Sequence, residues 1–175
     1  LWGLFQGFNY KSESEFAPPA ETGTQTVSVG DVDYELVVRD TQLSADEAQT
    51  IATNFVQQED VDVIVGCTSS ASANRVIQTV STQVDIPTLI GPAASADVTS
   101  NAETCAPNVF RASENTAMDA RSGGTYVAQN SDVSSVYLFG ADYSFGRAVV
   151  NNYRSVLEAQ GIEIVGEQFL PRGYS

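Results

Sequence analysis

The sequence predicts an α/β protein with a doubly wound, mostly parallel sheet. From Ser44 onward, short apolar runs that fit buried strands alternate with amphipathic runs that fit helices. Two of the strands, at residues 61–65 and 87–90, each end in a turn of small and hydroxyl residues. Open α/β sheets bind ligands at the carboxyl ends of their strands. The pattern therefore predicts both the fold class and the edge of the sheet that carries a site.

The first forty residues predict a helix and a β-hairpin. Apolar residues recur at helical spacing at the start of the chain, at Leu1, Leu4, Phe5 and Phe8. Residues 11–23 carry the Ser, Glu, Pro and Gly typical of a surface loop. Residues 24–29 and 32–39 alternate between apolar and polar on either side of a Gly-Asp turn, which indicates two antiparallel strands.

Helices and strands then alternate to the end of the chain. Ser44 and Glu47 form a capping box that begins a helix, and Gly161 stands where the last helix needs a left-handed residue. The predicted strands cover residues 61–65, 87–90, 108–112, 134–139 and 162–169. The predicted helices cover residues 44–59, 69–84, 114–129 and 145–160, and residues 96–99 are expected to form a short turn or helix. Residues 111–116 are expected to cross from one α/β unit to the next.

The charge balance excludes several partners. The chain has 8 Lys and Arg against 22 Asp and Glu, a formal net charge of -14, and Lys11 is its only lysine. Such a surface repels nucleic acids and anionic membranes, so no nucleic-acid partner is expected. The same balance suits a protein adapted to high salt, where screening relieves self-repulsion; an ordinary acidic secreted protein is the alternative.

The residue inventory argues against an enzyme. The chain has no histidine, which removes histidine-based triads, general bases and metal ligands. Its two cysteines, Cys67 and Cys105, cannot form a zinc site alone, so no metal or other cofactor is expected. A disulfide between them is favoured because both should lie near one sheet edge, and two buried thiols are the alternative. No apolar run is long enough to span a membrane.

The strongest candidate site is the turn Gly66-Cys67-Thr68-Ser69-Ser70. A helix that begins at Ser69 or Ser70 offers unpaired N–H groups and a partial positive charge to a carboxylate. The alternative is that these serines only cap the helix. The turn lacks the Gly-Lys-Ser/Thr of a phosphate-binding loop and the later glycines of a dinucleotide fingerprint. Neither serine has a base partner, so a nucleophile is not expected.

Two further turns could contribute to the same site. In Gly91-Pro92-Ala93-Ala94-Ser95, small residues allow a ligand to approach the backbone and Ser95 adds a hydroxyl; a purely structural turn is the alternative. In Asp142-Tyr143-Ser144-Phe145-Gly146, two aromatic side chains could line an apolar pocket or belong to the core. Asp40 ends a strand, and we expect it to be solvated rather than catalytic.

Taken in order, these segments resemble the type I periplasmic-binding-protein family, in particular the substrate-binding proteins of branched-chain amino acid ABC transporters. The segments that carry the resemblance are residues 34–40, 61–70, 86–95, 108–111 and 142–146. The resemblance implies that Ser70 donates to a ligand carboxylate through its hydroxyl and N–H, that the backbone of Ala93 receives the ligand amino group, and that Ser95 contacts the same head group. Ser69 and Ala94 are expected in the same ligand-binding site. It also implies that Tyr143 or Phe145 lines the pocket from a second lobe.

The resemblance further implies two lobes, residues 1–112 and 113–175, that close by rotation near residues 111–116. The chain is expected to be a truncated piece that lacks a first strand and most of lobe two. Its unfinished sheet edge predicts contact with a second copy.

The implied function is an extracellular or periplasmic solute-binding protein that delivers an amino acid or a related ligand to an ABC transporter permease. A lipid anchor at the cell surface is part of this expectation. Aromatic acids, amides and other small solutes are alternative ligands. A ligand-sensing regulatory domain of the same fold is the alternative function.

Overall fold

The computed structural model describes residues 2–12 and 22–171 and divides into two compact units, residues 1–40 and 41–175. The first unit contains helix α1 (Trp2–Ser12) and the antiparallel strands β1 (Gly23–Val29) and β2 (Val32–Val38). Gly30 adopts a positive φ of 61° in the turn, as the hairpin prediction requires. The hairpin is confirmed. Helix α1 extends into the predicted loop, and residues 13–21 of that loop lie outside the described residues.

The first unit has an aromatic core of its own. Phe5 is fully buried, and its ring meets Phe8 edge to face with centroids 6.0 Å apart. Phe8 also contacts Tyr34 of β2, at 5.2 Å between ring centroids. These rings pack the helix against the hairpin, and Val27 of β1 is fully buried.

The second unit begins with a parallel sheet. Its strands are β3 (Ile64–Gly66), β4 (Thr88–Ile90) and β5 (Val109–Arg111), in the spatial order β3-β4-β5. All three therefore end at the same edge, and Gly66, Ile90 and Arg111 lie in register there. The predicted parallel pairing is confirmed.

Helices connect these strands. Helix α2 (Ala45–Gln57) precedes β3. The connection from β3 to β4 runs through α3 (Ser70–Val76), a π-helical segment (Ile77–Ser81) and α4 (Thr82–Val84) without a break. A short helix, α5 (Asp97–Ser100), follows β4. Strand β3 starts at Ile64 and not at Val61 as predicted. The reason is that the N–H of Val61 donates to the carbonyl of Phe55 and not to a neighbouring strand.

The core of this sheet lies on its helical side. One cluster of buried residues joins α2 to the first strand and the long helix: Ala48, Ala52, Ile64, Val76, Val80 and Ile86. A second cluster lies under the turn after β4: Ala73, Ile77, Ile90, Ala93 and Val98. On the other side, Val65, Leu89 and Phe110 lie in one cross-strand row, and Val65 and Phe110 are more than half exposed.

A second parallel sheet follows. Helix α6 (Thr116–Asn130) leads to β6 (Ser135–Ala141), and α7 (Ser144–Ala159) leads to β7 (Glu163–Leu170), which pairs with β6. Gly161 ends α7 with a φ of 82°, as predicted. The boundary predicted between residues 112 and 113 lies inside the second unit and stays a prediction. No helix among the described residues is long and apolar enough to cross a membrane.

Candidate functional site

A cavity of about 200 Å³ lies where three strand-to-helix connections of the second unit meet. It is lined by two residues from the turn after β3, two from the turn after β4 and two from the turn after β6: Thr68, Ser70, Pro92, Ala94, Tyr143 and Phe145. The cavity therefore occupies the edge of the sheet that the sequence predicted. It is smaller than the pockets that bind drug-sized molecules, so it suits a small ligand.

Ser70 ties two of these turns together. Its side chain is buried, and its Oγ accepts a hydrogen bond of 3.1 Å from the backbone N–H of Ser95. Among the described residues, no acceptor is present for the hydrogen of the Ser70 hydroxyl. That hydroxyl can therefore donate to a ligand while it still holds the turn after β4.

The helices that begin at the cavity lack side-chain caps. Ser69 and Tyr143 precede α3 and α7, and neither side chain accepts a hydrogen bond from the first turn of its helix. By contrast, Ser44 caps α2 through the N–H of Glu47, and Asn115 caps α6. Uncapped helix N-termini present N–H groups and partial positive charge. Two such termini at one cavity favour an anionic group of a ligand there.

Three buried hydroxyls near the cavity residues in sequence have no hydrogen-bond partner among the described residues. They are the Oγ atoms of Ser69, Ser95 and Ser144, each adjacent in sequence to a lining residue. Buried polar atoms in proteins nearly always have a hydrogen-bond partner. These hydroxyls therefore have unused hydrogen-bonding capacity, but their oxygens are closed to solvent.

The aromatic wall belongs to the start of α7. The rings of Tyr143 and Phe145 lie 6.0 Å apart between centroids and are inclined by 38°. The nearby guanidinium of Arg147 is neutralised by Asp142, with its Nε and Nη2 at 2.8 and 2.5 Å from the same carboxylate oxygen. It also lies 4.6 Å from the centre of the Phe169 ring. No described residue that lines the cavity carries a charge, so the wall offers neutral donors and ring faces.

The structure brings half of the predicted site residues to the cavity wall. Ser70, Ala94 and Tyr143 line it. Ser69, Ala93 and Ser95 lie behind the wall and are 5%, 0% and 0% exposed. The binding roles of all six stay predictions.

Two lining residues were not singled out from the sequence. Thr68 and Pro92 were missed, although each stands inside one of the turns that the sequence indicated. The two lining residues of each turn lie two positions apart, at 68 and 70, 92 and 94, and 143 and 145.

The predicted disulfide is wrong, because both cysteines are free. Cys67 packs against both apolar clusters of the sheet, whereas Cys105 is exposed to solvent. Burial raises the pKa of the Cys67 thiol from 9.0 to about 11. No group of three or more potential metal-binding side chains occurs in the part of the chain that the structure describes.

Comparison with known proteins identifies the family. Residues 23–175 match the model of the family described as periplasmic binding protein. No protein of curated function matches the sequence.

Several solved structures share the fold. A periplasmic binding protein from Burkholderia mallei is 28% identical, with a TM-score of 0.73 over 78% of this chain and 36% of that one. An ABC transporter solute-binding protein from Rhodopseudomonas palustris, solved with benzoate, is 25% identical, with a TM-score of 0.71 over 79% of this chain and 37% of that one. An ABC transporter substrate-binding protein from Sphaerobacter thermophilus is also 25% identical, with a TM-score of 0.70 and the same two coverages.

The chain thus spans little more than a third of the length of these structures. The family and these neighbours are binding proteins, not enzymes. The fold is that of the type I periplasmic binding proteins, with parallel α/β sheets. On the match over residues 23–175, the chain belongs to the periplasmic binding protein family.

Proposed function

We propose that this chain is part of an ABC importer's solute-binding protein and that it binds a small carboxylic acid in the cavity at the edge of its sheet. The observation that carries the proposal is the pair of uncapped helix N-termini, at α3 and α7, that meet at this cavity. A carboxylate there would accept hydrogen bonds from first-turn N–H groups and from the Ser70 hydroxyl. Neutral donors suffice to hold an anion at a helix N-terminus.

An aromatic acid fits the wall better than an amino acid. Tyr143 and Phe145 offer ring faces to an apolar group. An α-ammonium group would be held best by a carboxylate, but no described residue that lines the cavity is acidic. The Rhodopseudomonas palustris neighbour, which was solved with benzoate, supports the same choice. The branched-chain amino acid expected from the sequence is therefore the less favoured ligand of this proposal.

The rest of the proposed function concerns the whole protein. Residues 1–112 would belong to one lobe and residues 113–175 to a second, with rotation near residues 111–116. The two separate parallel sheets support this division. The partner would be an ABC transporter permease, and the location periplasmic or extracellular. The excess of carboxylates supports adaptation to high salt. Lipid anchoring and contact with a second copy complete the proposal.

The ligand class can be tested by NMR titration of the ¹⁵N-labelled chain, which detects even weak binding. Benzoate is compared with benzyl alcohol, which keeps the ring and lacks the carboxylate, and with leucine. We expect benzoate to shift the amide signals of Ser70, Ala94 and Phe145 and to bind more tightly than either control. Equal binding of benzyl alcohol would show that no carboxylate is recognised. Tighter binding of leucine than of benzoate would instead favour an amino acid as the ligand.

A further inference from the structure

Two segments of the second unit are joined by hydrogen bonds. Residues 91–96, which follow β4, are here named the ligand loop, and residues 111–116, which run from the end of β5 into α6, are the crossover segment. Crossover residues donate hydrogen bonds to several carbonyl oxygens of the ligand loop: Gly91, Ala93, Ala94 and Ser95. The conformation of the ligand loop is thus set by a segment about twenty residues further along the chain.

Arg111 makes the central contacts of this network. Its Nη1 donates to the carbonyl of Ala93 at 2.8 Å, and its Nη2 donates to the carbonyl of Ser95 at 2.6 Å. Its Nε donates to the hydroxyl of Thr99 at 3.3 Å. The guanidinium is planar and rigid, so two bonds from its two ends fix the separation of the two carbonyls. Arg111 therefore determines the path of the backbone between residues 93 and 95.

The residue between those two carbonyls lines the cavity. Ala94 is one of two cavity residues from the ligand loop, and its own carbonyl accepts a hydrogen bond of 2.9 Å from the N–H of Thr116. The N–H of Ser95 is the group that meets the hydroxyl of Ser70. Displacement of the backbone at Ala94 and Ser95 would therefore move the cavity wall and also break the hydrogen bond to Ser70 of α3.

Thr116 extends the network to α7. Its buried hydroxyl oxygen accepts from the N–H of Ala96 at 3.0 Å and from the side-chain amide of Asn152 at 3.2 Å. Ser113 adds a bond from its hydroxyl to the carbonyl of Gly91 at 2.5 Å. Every contact in this network lies within residues 91–152 of the second unit.

The charge of Arg111 strengthens its hold. No carboxylate forms an ion pair with Arg111 in the described part of the chain. The carbonyl oxygens of the ligand loop are therefore the groups that compensate its charge. Hydrogen bonds from a charged donor are roughly twice as strong as neutral ones. Burial without an anionic partner also lowers the pKa of Arg111 from its ordinary value.

We propose that Arg111 is a positioning residue for ligand binding: it does not line the cavity, but it holds the ligand loop in the shape that presents Ala94 and the N–H of Ser95. The proposal rests on the proposed function, in that the loop it shapes is the one assigned to the ligand. Removal of the guanidinium should make the ligand loop mobile while the sheet remains folded.

The test combines hydrogen–deuterium exchange of the ligand loop with benzoate titration of the full chain. The variants are Arg111→Ala and Arg111→Lys, and Asn108→Ala is the matched control. Asn108 stands at the other end of β5, where its side-chain amide also bridges two carbonyls, those of Ser81 and Ile86 at 2.8 Å each. The control thus removes the same kind of bridge without touching the ligand loop.

In Arg111→Ala we expect amide exchange in residues 91–96 to rise about tenfold and benzoate affinity to fall about tenfold, as for the loss of hydrogen bonds from a charged donor. Arg111→Lys should recover part of both, because it keeps the charge but not the rigid fork. Asn108→Ala should change neither the amide exchange of the ligand loop nor the affinity for benzoate. If Arg111→Ala does not fold, the amide exchange and benzoate affinity of Arg111→Lys are compared with those of wild type to test the proposal.

If both Arg111 variants show the amide exchange rates of wild type in the ligand loop, the proposal is overturned, whether or not benzoate affinity changes. Equal exchange in Asn108→Ala would also overturn it, since the effect would then be general loosening of the sheet. If wild-type chain does not bind benzoate but Arg111→Ala still frees the loop, the positioning role stands and the proposed function fails.

Discussion

The backbone N–H of Ser95 donates a hydrogen bond to the hydroxyl of Ser70 across two adjacent strand-to-helix turns. The two residues are both buried, and their own hydroxyls differ in status: the Ser70 oxygen has this partner, whereas the Ser95 oxygen has none among the described residues. One serine therefore supports the fold of the site, and the other carries an unused hydroxyl beside it.

Ser70→Ala and Ser95→Ala should have different effects on stability. Ser70→Ala leaves the N–H of Ser95 buried without an acceptor, which costs about 1–3 kcal/mol in the free energy of unfolding. Ser95→Ala removes a buried hydroxyl that has no partner among the described residues, so it should not lower the free energy of unfolding. Urea unfolding of the two variants measures both values. Equal destabilisation would contradict the difference in status.

The same pair tests ligand contact. The double variant Ser70→Ala with Ser95→Ala should bind benzoate at least about tenfold more weakly than wild type, since it removes the Ser70 hydroxyl from the cavity wall and the hydrogen bond that holds the adjacent turn. Calorimetry or NMR titration at a temperature where the variants remain folded gives the affinities. Unchanged affinity in the double variant would refute the assignment of these serines to the ligand.

Phe145→Ala should weaken binding of an aromatic acid. The ring of Phe145 lines the cavity beside Tyr143, and loss of an aromatic contact of this kind costs on the order of 1 kcal/mol, or about fivefold in affinity. The matched control is Phe139→Ala, because Phe139 of β6 is 62% exposed and does not line the cavity. NMR titration with benzoate compares the two. A loss as large in Phe139→Ala would count against the aromatic wall.

Gly146→Ala should destabilise the start of α7. A Cβ at this position would lie 2.1 Å from the carbonyl oxygen of Ala141 and 2.8 Å from its nitrogen, so helix and strand would have to separate. Overpacking of this kind costs about 1–3 kcal/mol. Gly7→Ala in α1 is the control, because a Cβ there meets no atom of the described residues within 4 Å. Thermal unfolding should show a lower Tm for Gly146→Ala alone; an unchanged Tm would mean that the strand-to-helix turn yields easily.

The two cysteines should differ in reactivity. Because the pKa of Cys67 is raised to about 11, its thiol stays protonated at pH 8, while the exposed Cys105 is accessible to reagent. Iodoacetamide at pH 8 should therefore label Cys105 in the folded chain, and mass spectrometry of the digested protein locates the label. In denaturant both should react, which is the control. Labelling of Cys67 at an equal rate in the folded chain would contradict its burial.

The same shift sets a direction for stability at alkaline pH. A raised pKa means that the folded chain favours the neutral thiol of Cys67, so this contribution to stability is complete below pH 9.0 and declines as the pH rises to about 11. Cys67→Ala should remove that part of the pH dependence.

Much of the fold could be predicted from patterns along the chain, because burial imposes them locally. The capping serine of α2, the hairpin turn at Gly30 and the left-handed Gly161 all depend on neighbouring residues, and all three occur as expected. The first bound of β3 could not be predicted in this way. Residues 61–63 are apolar enough for a strand, but the N–H of Val61 is used by the end of the preceding helix.

The site shows the same limit at longer range. The turns that hold Ser70, Ala94 and Tyr143 were recognisable as sequence, since each follows an apolar run. The contacts of Arg111 with the ligand loop join residues 16 and 18 positions apart, and no local pattern indicates them. The disulfide failed for a related reason: nearness to one sheet edge does not fix which way two side chains face.

The oxygen of Thr116 has a consequence for which amino acids that position can accept. A hydroxyl oxygen has two lone pairs, and here Ala96 and Asn152 occupy both. Serine could reproduce this arrangement; valine, of nearly the same shape, would strand two donors at once. In a saturation-mutagenesis library selected for folding, position 116 should therefore accept almost no amino acid other than threonine and serine. This restriction should hold although the side chain itself is small and uncharged.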